Sequence, residues 1–292
     1  MQVEGGALIA EEFTGTLAEQ LTKPEDGLSL YWLGQAGFVL TTANWRLLID
    51  PYLSDSLGRK YAGKALTHVR LMEAPIRPED FSGLDFVLCT HRHGDHMDPD
   101  TIRRLAERHP ECRFVVPAPE RDYALTLGIS PDRLLAAIPE VQITLAADLT
   151  LLPLPAAHEE FKQDVLGHDH FLGFMLSAAG YQIYHSGDSI PFAGLEDRLR
   201  KLDCELALLP VNGRDAFRKS QGIPGNFTLE EAIALCRQAE IRTMVAHHFG
   251  MFDFNTVAPE AIDEAANKRG EVVQVIRART SRRYLLRSRK EI

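Results

Sequence analysis

The run Thr90-His91-Arg92-His93-Gly94-Asp95-His96-Met97-Asp98 carries the densest chemistry in the chain. It places three histidines and two aspartates within eight residues. The run directly follows the apolar segment Leu84–Thr90, which has the length of a strand. A loop at a strand end can turn all of these side chains toward one point. Imidazole and carboxylate are ligands that suit Zn, Mn, Fe and Ni. A structural zinc site more often uses thiolates and closes its coordination sphere. A His/Asp set without cysteine therefore points to a catalytic metal rather than to a His-rich surface loop.

More candidate ligands follow at the ends of other strand-like runs. His158 comes after LTLLPLPAA, Asp188 after YQIYHSG, and His247 and His248 after RTMVA. Active sites are commonly assembled from loops that a rigid scaffold positions, so wide spacing in sequence is expected.

The elements that must carry these residues alternate between two periods. Residues 1–27 are polar and mixed, and read as an N-terminal arm with one short helix; residues 28–292 read as a single domain. LSLYWLG, GFVLTT and WRLLIDP read as three strands joined by Gly or Asn turns. Ser54–Asp80 contains Pro and no clean period, and reads as a long loop over one face. Asp98-Pro99 starts a helix, with Asp as N-cap and Pro in the first turn. Arg113–Val116 is a predicted strand and Glu120–Leu127 a predicted helix. Two strands are expected in Val141–Leu154 and two more in FLGFMLS and YQIYHS. Phe192–Leu202, Thr228–Ala239 and Pro259–Lys268 read as helices; Thr228 and Glu231 form a capping box. Glu205–Pro210 and Arg242–His247 read as strands, and two further strands close the chain. This alternation argues an α/β layered domain.

The chain has 292 residues, room for one large domain or two small ones. Lys and Arg number 32 against 41 Asp and Glu, a net charge of −9. That balance argues against nucleic acid as partner, since such binders neutralise phosphates. The basic stretch Arg277, Arg279, Arg282, Arg283, Arg287, Arg289 and Lys290 reads as a solvated face. Cys89, Cys112, Cys204 and Cys236 make no CxxC pair, which suits a reducing, cytoplasmic setting. No secretory signal is evident. No apolar stretch approaches the roughly 18 residues of a membrane span, so no membrane partner is expected.

With these residues in view, the chain resembles the metallo-β-lactamase superfamily. The resemblance rests on His91-Arg92-His93-Gly94-Asp95-His96, Ser186-Gly187-Asp188 and the late His248, and extends from Leu30 onward. Within that superfamily it resembles the L-ascorbate-6-phosphate lactonase-like group. There the carrying residues are Trp32-Leu33-Gly34, Ile49-Asp50-Pro51, Tyr184–Ser189, Leu209–Asp215, Gly225-Asn226-Phe227-Thr228 and His248–Phe252. The resemblance implies a four-layer αββα sandwich with two divalent ions, Zn or Mn, between the sheets. It implies that His91, His93 and His158 hold the first ion. Asp95, His96 and His248 hold the second, and Asp188 bridges the two. His247 is the neighbouring alternative to His248, and His168 and His170 are the alternatives to His158, more in keeping with loop or pocket wall. It also implies an oligomer of identical subunits.

Other residues are candidates for support and recognition. Metal-bound histidines usually donate their second N–H to a carboxylate or carbonyl. Asp50 looks like such an orienter, or else a turn residue before Pro51. His185 reads either as pocket-facing or as a core histidine. Asn212, Arg214 and Lys219 follow a strand and suit a substrate phosphate or carboxylate, or else a subunit contact. Tyr52, Asn226 and Asn255 are weaker pocket candidates. The loop Ser54–Asp80 brings Arg59, Lys60 and His68 over the site, or into an oligomer contact. The expected reaction is metal-dependent hydrolysis by an activated water that Asp95 helps orient. A small-molecule sugar-phosphate lactone such as L-ascorbate 6-phosphate is the leading substrate. A phosphodiester is the first rival, and a non-catalytic binding module on the same fold the second. No GxSxG motif supports a serine hydrolase.

Overall fold

Alternating side chains along the first strands sort themselves between two cores in the computed structural model, which describes residues 8–25, 27–268, 270 and 272–287. The strands are β1 (Ile9–Glu12), β2 (Gly27–Gly34), β3 (Gly37–Thr41), β4 (Arg46–Ile49), β5 (Phe86–Leu88), β6 (Arg113–Pro117) and β7 (Leu134–Ala137). Then come β8 (Ile143–Ala146), β9 (Leu149–Pro155), β10 (Leu172–Ala178), β11 (Tyr181–His185), β12 (Leu206–Pro210), β13 (Thr243–His247), β14 (Gln274–Arg277) and β15 (Arg282–Arg287). One sheet has the order β1-β15-β2-β3-β4-β5-β6-β7, the other β14-β13-β12-β11-β10-β9-β8.

Leu28, Leu30 and Trp32 of β2 enter the core shared with the second sheet. Their neighbours Tyr31 and Leu33 enter a separate core on the opposite face. The same period of two divides Phe38 and Leu40 from Val39, and Leu47 and Ile49 from Leu48. Helices cover the outer faces. In the first half come α1 (Leu17–Gln20), α3 (Pro99–Arg108) and α4 (Arg121–Leu125), while α2 (Ser56–Lys60) buries Leu57 in a small separate cluster with Tyr52, Met251 and Phe252. Of these, α3 and α4 bury Ile102, Leu105 and Ala124 in the second core. In the later half, α5 (Leu195–Lys201), α6 (Ala216–Ser220), α7 (Leu229–Gln238) and α8 (Pro259–Ala266) follow. Helix α7 packs on β12 and β13, and α8 on β14. The result is the expected αββα sandwich.

The direction of the strands creates the site. Strands β4 and β5 run parallel, as do β11, β12 and β13. Asp50 and Thr90 follow the ends of β4 and β5; Asp188 and His248 follow the ends of β11 and β13. Ligand sites of open α/β sheets lie at such carboxyl ends.

Beyond β7 and α6, which the sequence reading did not place, three features depart from expectation. The N-terminal arm contains β1, which pairs antiparallel with β15; residues 1–7 lie outside the described part, as do Arg289 and Lys290. The rest of the basic stretch is not simply solvated. Arg277 pairs with Asp263 at 2.7 Å, Arg282 with Glu12 at 2.9 Å and Arg283 with Glu25 at 2.7 Å. The segment Ser54–Asp80 is not all loop, since it contains α2. Among the described residues no helix is long and apolar enough to cross a membrane. All four cysteines are buried and free.

Caps end where sequence placed them. Asp98 accepts from the Asp100 amide, and Thr228 and Glu231 form a reciprocal box at the start of α7. Replacing Thr228 by Ala removes one acceptor from the α7 amides. It is expected to lower stability by about 1 kcal/mol, read as a lower denaturant midpoint at unchanged slope.

Candidate metal centre

The loop after β5 turns its histidines inward, and the ends of β9, β11 and β13 meet it from the other sheet. His91, His93 and His158 bring one ligand atom each within 4.8 Å of one another. So do Asp95, His96 and His248, and so do His91, His96 and Asp188. Asp188 faces both sets. Its Oδ1 lies 3.3 Å from His96 Nε2 and 3.4 Å from His248 Nε2, and its Oδ2 lies 3.6 Å from His158 Nε2. His168 and His170 belong to neither set; His168 pairs with Asp164 at 3.4 Å and His170 with Glu120 at 2.5 Å.

Hydrogen bonds fix which ring nitrogen faces the centre. Asp50 is buried, and its Oδ1 accepts the Thr90 amide at 2.7 Å. Its Oδ2 accepts the Thr90 hydroxyl and the His96 Nδ1–H, both at 2.7 Å. The Thr90 oxygen, having donated, accepts from His91 Nδ1 at 3.1 Å. His158 Nδ1 donates to the Gly225 carbonyl at 3.2 Å. All three rings are thereby anchored through Nδ1 and turn Nε2 toward the centre, the arrangement of metal-ligating histidines.

Electrostatics agree with that reading. Burial pushes the His91 imidazole well down, helped by His96, and takes His158 down to about 4. Both rings are thus neutral at neutral pH, the ligating form. His96 goes the other way: burial disfavours its charge, but Asp188, Asp50 and Asp95 together raise it well above the usual range. Burial favours the neutral acid at Asp188, yet His248 and His96 hold its carboxyl well below the usual range. A pocket that draws a proton onto a buried imidazole draws a divalent cation by the same field. Among the described residues, His91 Nε2, His96 Nε2 and Asp188 Oδ1 are buried without a hydrogen-bond partner. Buried polar atoms are rarely left so, and this donor set fits divalent ions.

The backbone around the centre is constrained. Gln35, Asp50 and His248 have φ of 50°, 45° and 62°, positions uncommon for side-chain-bearing residues and often found at functional sites. At Gly187, φ is +59°, and a Cβ would lie 2.4 Å from the Leu172 carbonyl oxygen and 2.9 Å from Thr90 Cβ. Only glycine fits before Asp188.

Gln35 is the residue that sequence reasoning missed. It sits in the tight turn between β2 and β3, and its Nε2 donates to Asp95 Oδ2 at 2.8 Å. Its carbonyl accepts the His248 amide at 2.9 Å and the Trp32 indole N–H at 3.0 Å. Trp32 in turn stacks on Phe249, with ring centroids 5.1 Å apart. One hairpin turn thereby orients a carboxylate from one sheet and a histidine from the other. Thr90 was likewise passed over, because it precedes the histidines rather than joining them.

Several expected contacts fall elsewhere. Arg214 does not reach the cavity over the centre: Glu231 holds it at 2.6 and 2.7 Å. Lys219 is paired with Glu159 at 2.8 Å. The two line a separate depression. Asn212 is buried and works from behind, donating to Asn255 at 2.7 Å and accepting from Asn226 at 3.0 Å; Asn255 itself lines the cavity. His185 is a core residue, bonded to the Ala36 carbonyl at 2.9 Å and stacked on His247 at 5.1 Å. His247 is buried on that stack, so His248 is the histidine that enters the centre. Arg59 points away and pairs with Asp100. Tyr52 is buried beneath Phe252, with ring centroids 6.2 Å apart. Lys60 and His68 do line the cavity, which measures about 440 Å³ and has His93, Asp95, His158, Asp188 and His248 on its walls.

Residues 45–249 match the beta-lactamase superfamily domain, and the chain belongs to the metallo-β-lactamase superfamily. Its class is a metal-dependent hydrolase of that fold. It is similar to the N-acyl-phosphatidylethanolamine-hydrolyzing phospholipase D 1 of Caenorhabditis elegans, 25% identical over 248 residues. That match covers 80% of this chain but only 66% of the phospholipase. It is also similar to a UPF0173 metal-dependent hydrolase of Methanosarcina mazei, 26% identical over 255 residues, covering 85% of this chain and 95% of that protein. Among solved structures, the isothiocyanate hydrolase from Delia radicum gut bacteria shares the fold at a TM-score of 0.71 and 18% identity, covering 89% of this chain and 99% of that one. The metallo hydrolase Igni18 of Ignicoccus hospitalis shares it at 0.64 and 18%, covering 85% and 93%.

Asp50→Asn would set an amide N–H2 against donors that need an acceptor. It is expected to weaken divalent-ion affinity by roughly 10–100-fold, measured by titration of the metal-stripped protein with Zn or Mn while the fold is followed by circular dichroism.

Proposed function

We propose that the protein holds two divalent ions, Zn or Mn, and hydrolyses an ester linkage of a small organic substrate. The observation that carries this reading is Asp188, whose two oxygens face the two ligand sets. His91, His93 and His158 would hold one ion and Asp95, His96 and His248 the other, with Asp188 between them. Ions there supply Lewis acidity and bring the pKa of a water toward about 7.

The chain's own residues do the rest. Gln35 holds Asp95 Oδ2, which lies 3.7 Å from His248 Nε2 and 3.9 Å from His96 Nε2, and so aims that carboxylate at the second ligand set. Asp50 and Thr90 hold His96 and His91 by Nδ1 and turn their Nε2 atoms to the centre. The buried wall of Asn212, Asn226 and Asn255 fixes the amide of Asn255 at the cavity edge. Phe171 packs against His91, His93 and His158, at 5.2, 5.7 and 5.2 Å, and shields the ligand nitrogens from bulk water.

A phosphodiester is the favoured bond, because paired ions suit displacement at phosphorus and the phospholipase relative acts on a phospholipid. A lactone is the second reading. It is favoured by the resemblance at Leu209–Asp215 and Gly225–Thr228, the segments that carry Asn212 and Asn226 of the asparagine wall. Asp188→Asn is expected to lose at least one of two bound ions by elemental analysis and to reduce turnover by about 10²-fold or more. Bis-p-nitrophenyl phosphate and a sugar-phosphate lactone are the substrates to compare. Turnover of the diester alone supports the first reading, and turnover of the lactone alone the second. A variant as active as wild type after loss of its metal would sink both.

A further inference from the structure

The floor of the cavity accounts for the chemistry, but one wall has no part in it. That wall is the end of α2 and the turn after it. Lys60, Tyr61, Lys64 and His68 line the cavity, with Phe252 beside them. Tyr61 stacks on His68 with ring centroids 4.1 Å apart and planes 24° apart. His68 meets Phe252 edge-on at 5.0 Å and 69°. Lys60 Nζ lies 5.1 Å from the Tyr61 ring centroid, which holds it at the rim.

The charges on this wall are unusual for the molecule. Net charge is −9, and most basic side chains near the site are already neutralised. Arg59 is paired with Asp100, Arg214 with Glu231 and Lys219 with Glu159. Arg92 shares Glu120 at 3.4 Å. Among the described residues, Lys60 and Lys64 have no carboxylate within ion-pair distance, although both face a cavity whose floor carries Asp95 and Asp188. Two unpaired ammonium groups beside an aromatic face form a surface with one anionic and one flat, apolar requirement.

We propose that this wall recognises the substrate: Lys60 and Lys64 bind a phosphate group, and the Tyr61–His68–Phe252 face packs against an adjoining flat or apolar moiety. The substrate class is thus an organic phosphate with an apolar substituent next to the phosphate. The identity of the bond cleaved rests on the hydrolase reading above; the binding does not. Lysine serves as a compact point charge for phosphate. Both lysines are exposed, so their attraction weakens as salt rises.

The test is calorimetric titration of the metal-loaded protein with phenyl phosphate and with inorganic phosphate. Wild type is compared with the double variant K60Q/K64Q and with R59Q, which removes a charge one residue away but outside the cavity. Each variant is checked first for unchanged metal content and melting temperature. We expect phenyl phosphate to bind more tightly than inorganic phosphate to wild type. The double variant should lose roughly tenfold or more in Kd, and R59Q should match wild type. Wild type that binds no phenyl phosphate, or a double variant that binds it as well as wild type does, overturns the proposal. An equal loss in R59Q overturns it too, because net charge would then explain the effect. If lysine-dependent binding is found but neither diester nor lactone is turned over, this inference stands and the hydrolase reading falls.

Discussion

A carboxylate with no access to water organises the whole centre. Asp50 lies between two parallel strand ends, and burying its charge is tolerable only because three donors reach it. Two come from Thr90 and one from His96, so the loop after β5 has one low-energy path. That path leads His91 and His93 to one side of Asp188 and Asp95 and His96 to the other. Remove the acceptor and the loop loses the three bonds that set its path, and with them the aim of His91 and His96 at the centre.

The second dependence runs across the sandwich. Trp32, Gln35 and Phe249 join the β2–β3 turn to the end of β13 through a stacked pair and the Gln35 carbonyl, which accepts from both Trp32 and His248. This contact sets His248 in a left-handed conformation at the edge of the cavity. Rigid support of that kind is what a precise ligand constellation needs. It also explains why the recognition wall at α2 can differ from the floor in character. The floor is fixed from behind by hydrogen bonds between buried groups, whereas the wall is a stack of rings with charged ends facing open space.

Much of this was legible in the sequence for definite physical reasons. The His-x-His-x-Asp-His run is local, so one loop at one strand end contains most of the ligands. Strand periods of two predict which residues share a face, and Asp98 and Thr228 carry their capping partners within three residues. What stayed hidden depends on distant partners. Arg214 and Lys219 announce positive charge, but not that Glu231 and Glu159 will neutralise it. His185 and Asp188 are three residues apart. Only the end of β11 between them decides that one is core and the other is ligand. Gln35 is a single neutral side chain in a tight turn, and its role exists only once the second sheet is in place. β1 (IAEE) shows no buried alternation: Ile9 is half-buried and the three residues after it are exposed.

The sheet order β1-β15-β2 has a kinetic consequence. Among the described residues the two earliest strands, β1 and β2, are not neighbours; the latest, β15, slots between them. During synthesis, β1 has no partner until almost all of the described chain has emerged. β2 must meanwhile keep one edge open. Contacts of such long sequence separation form slowly, because loop closure precedes any gain from pairing. An emerging chain therefore carries an unpaired, aggregation-prone edge until β15 has been made. Closing the first sheet is left to its last-made strand.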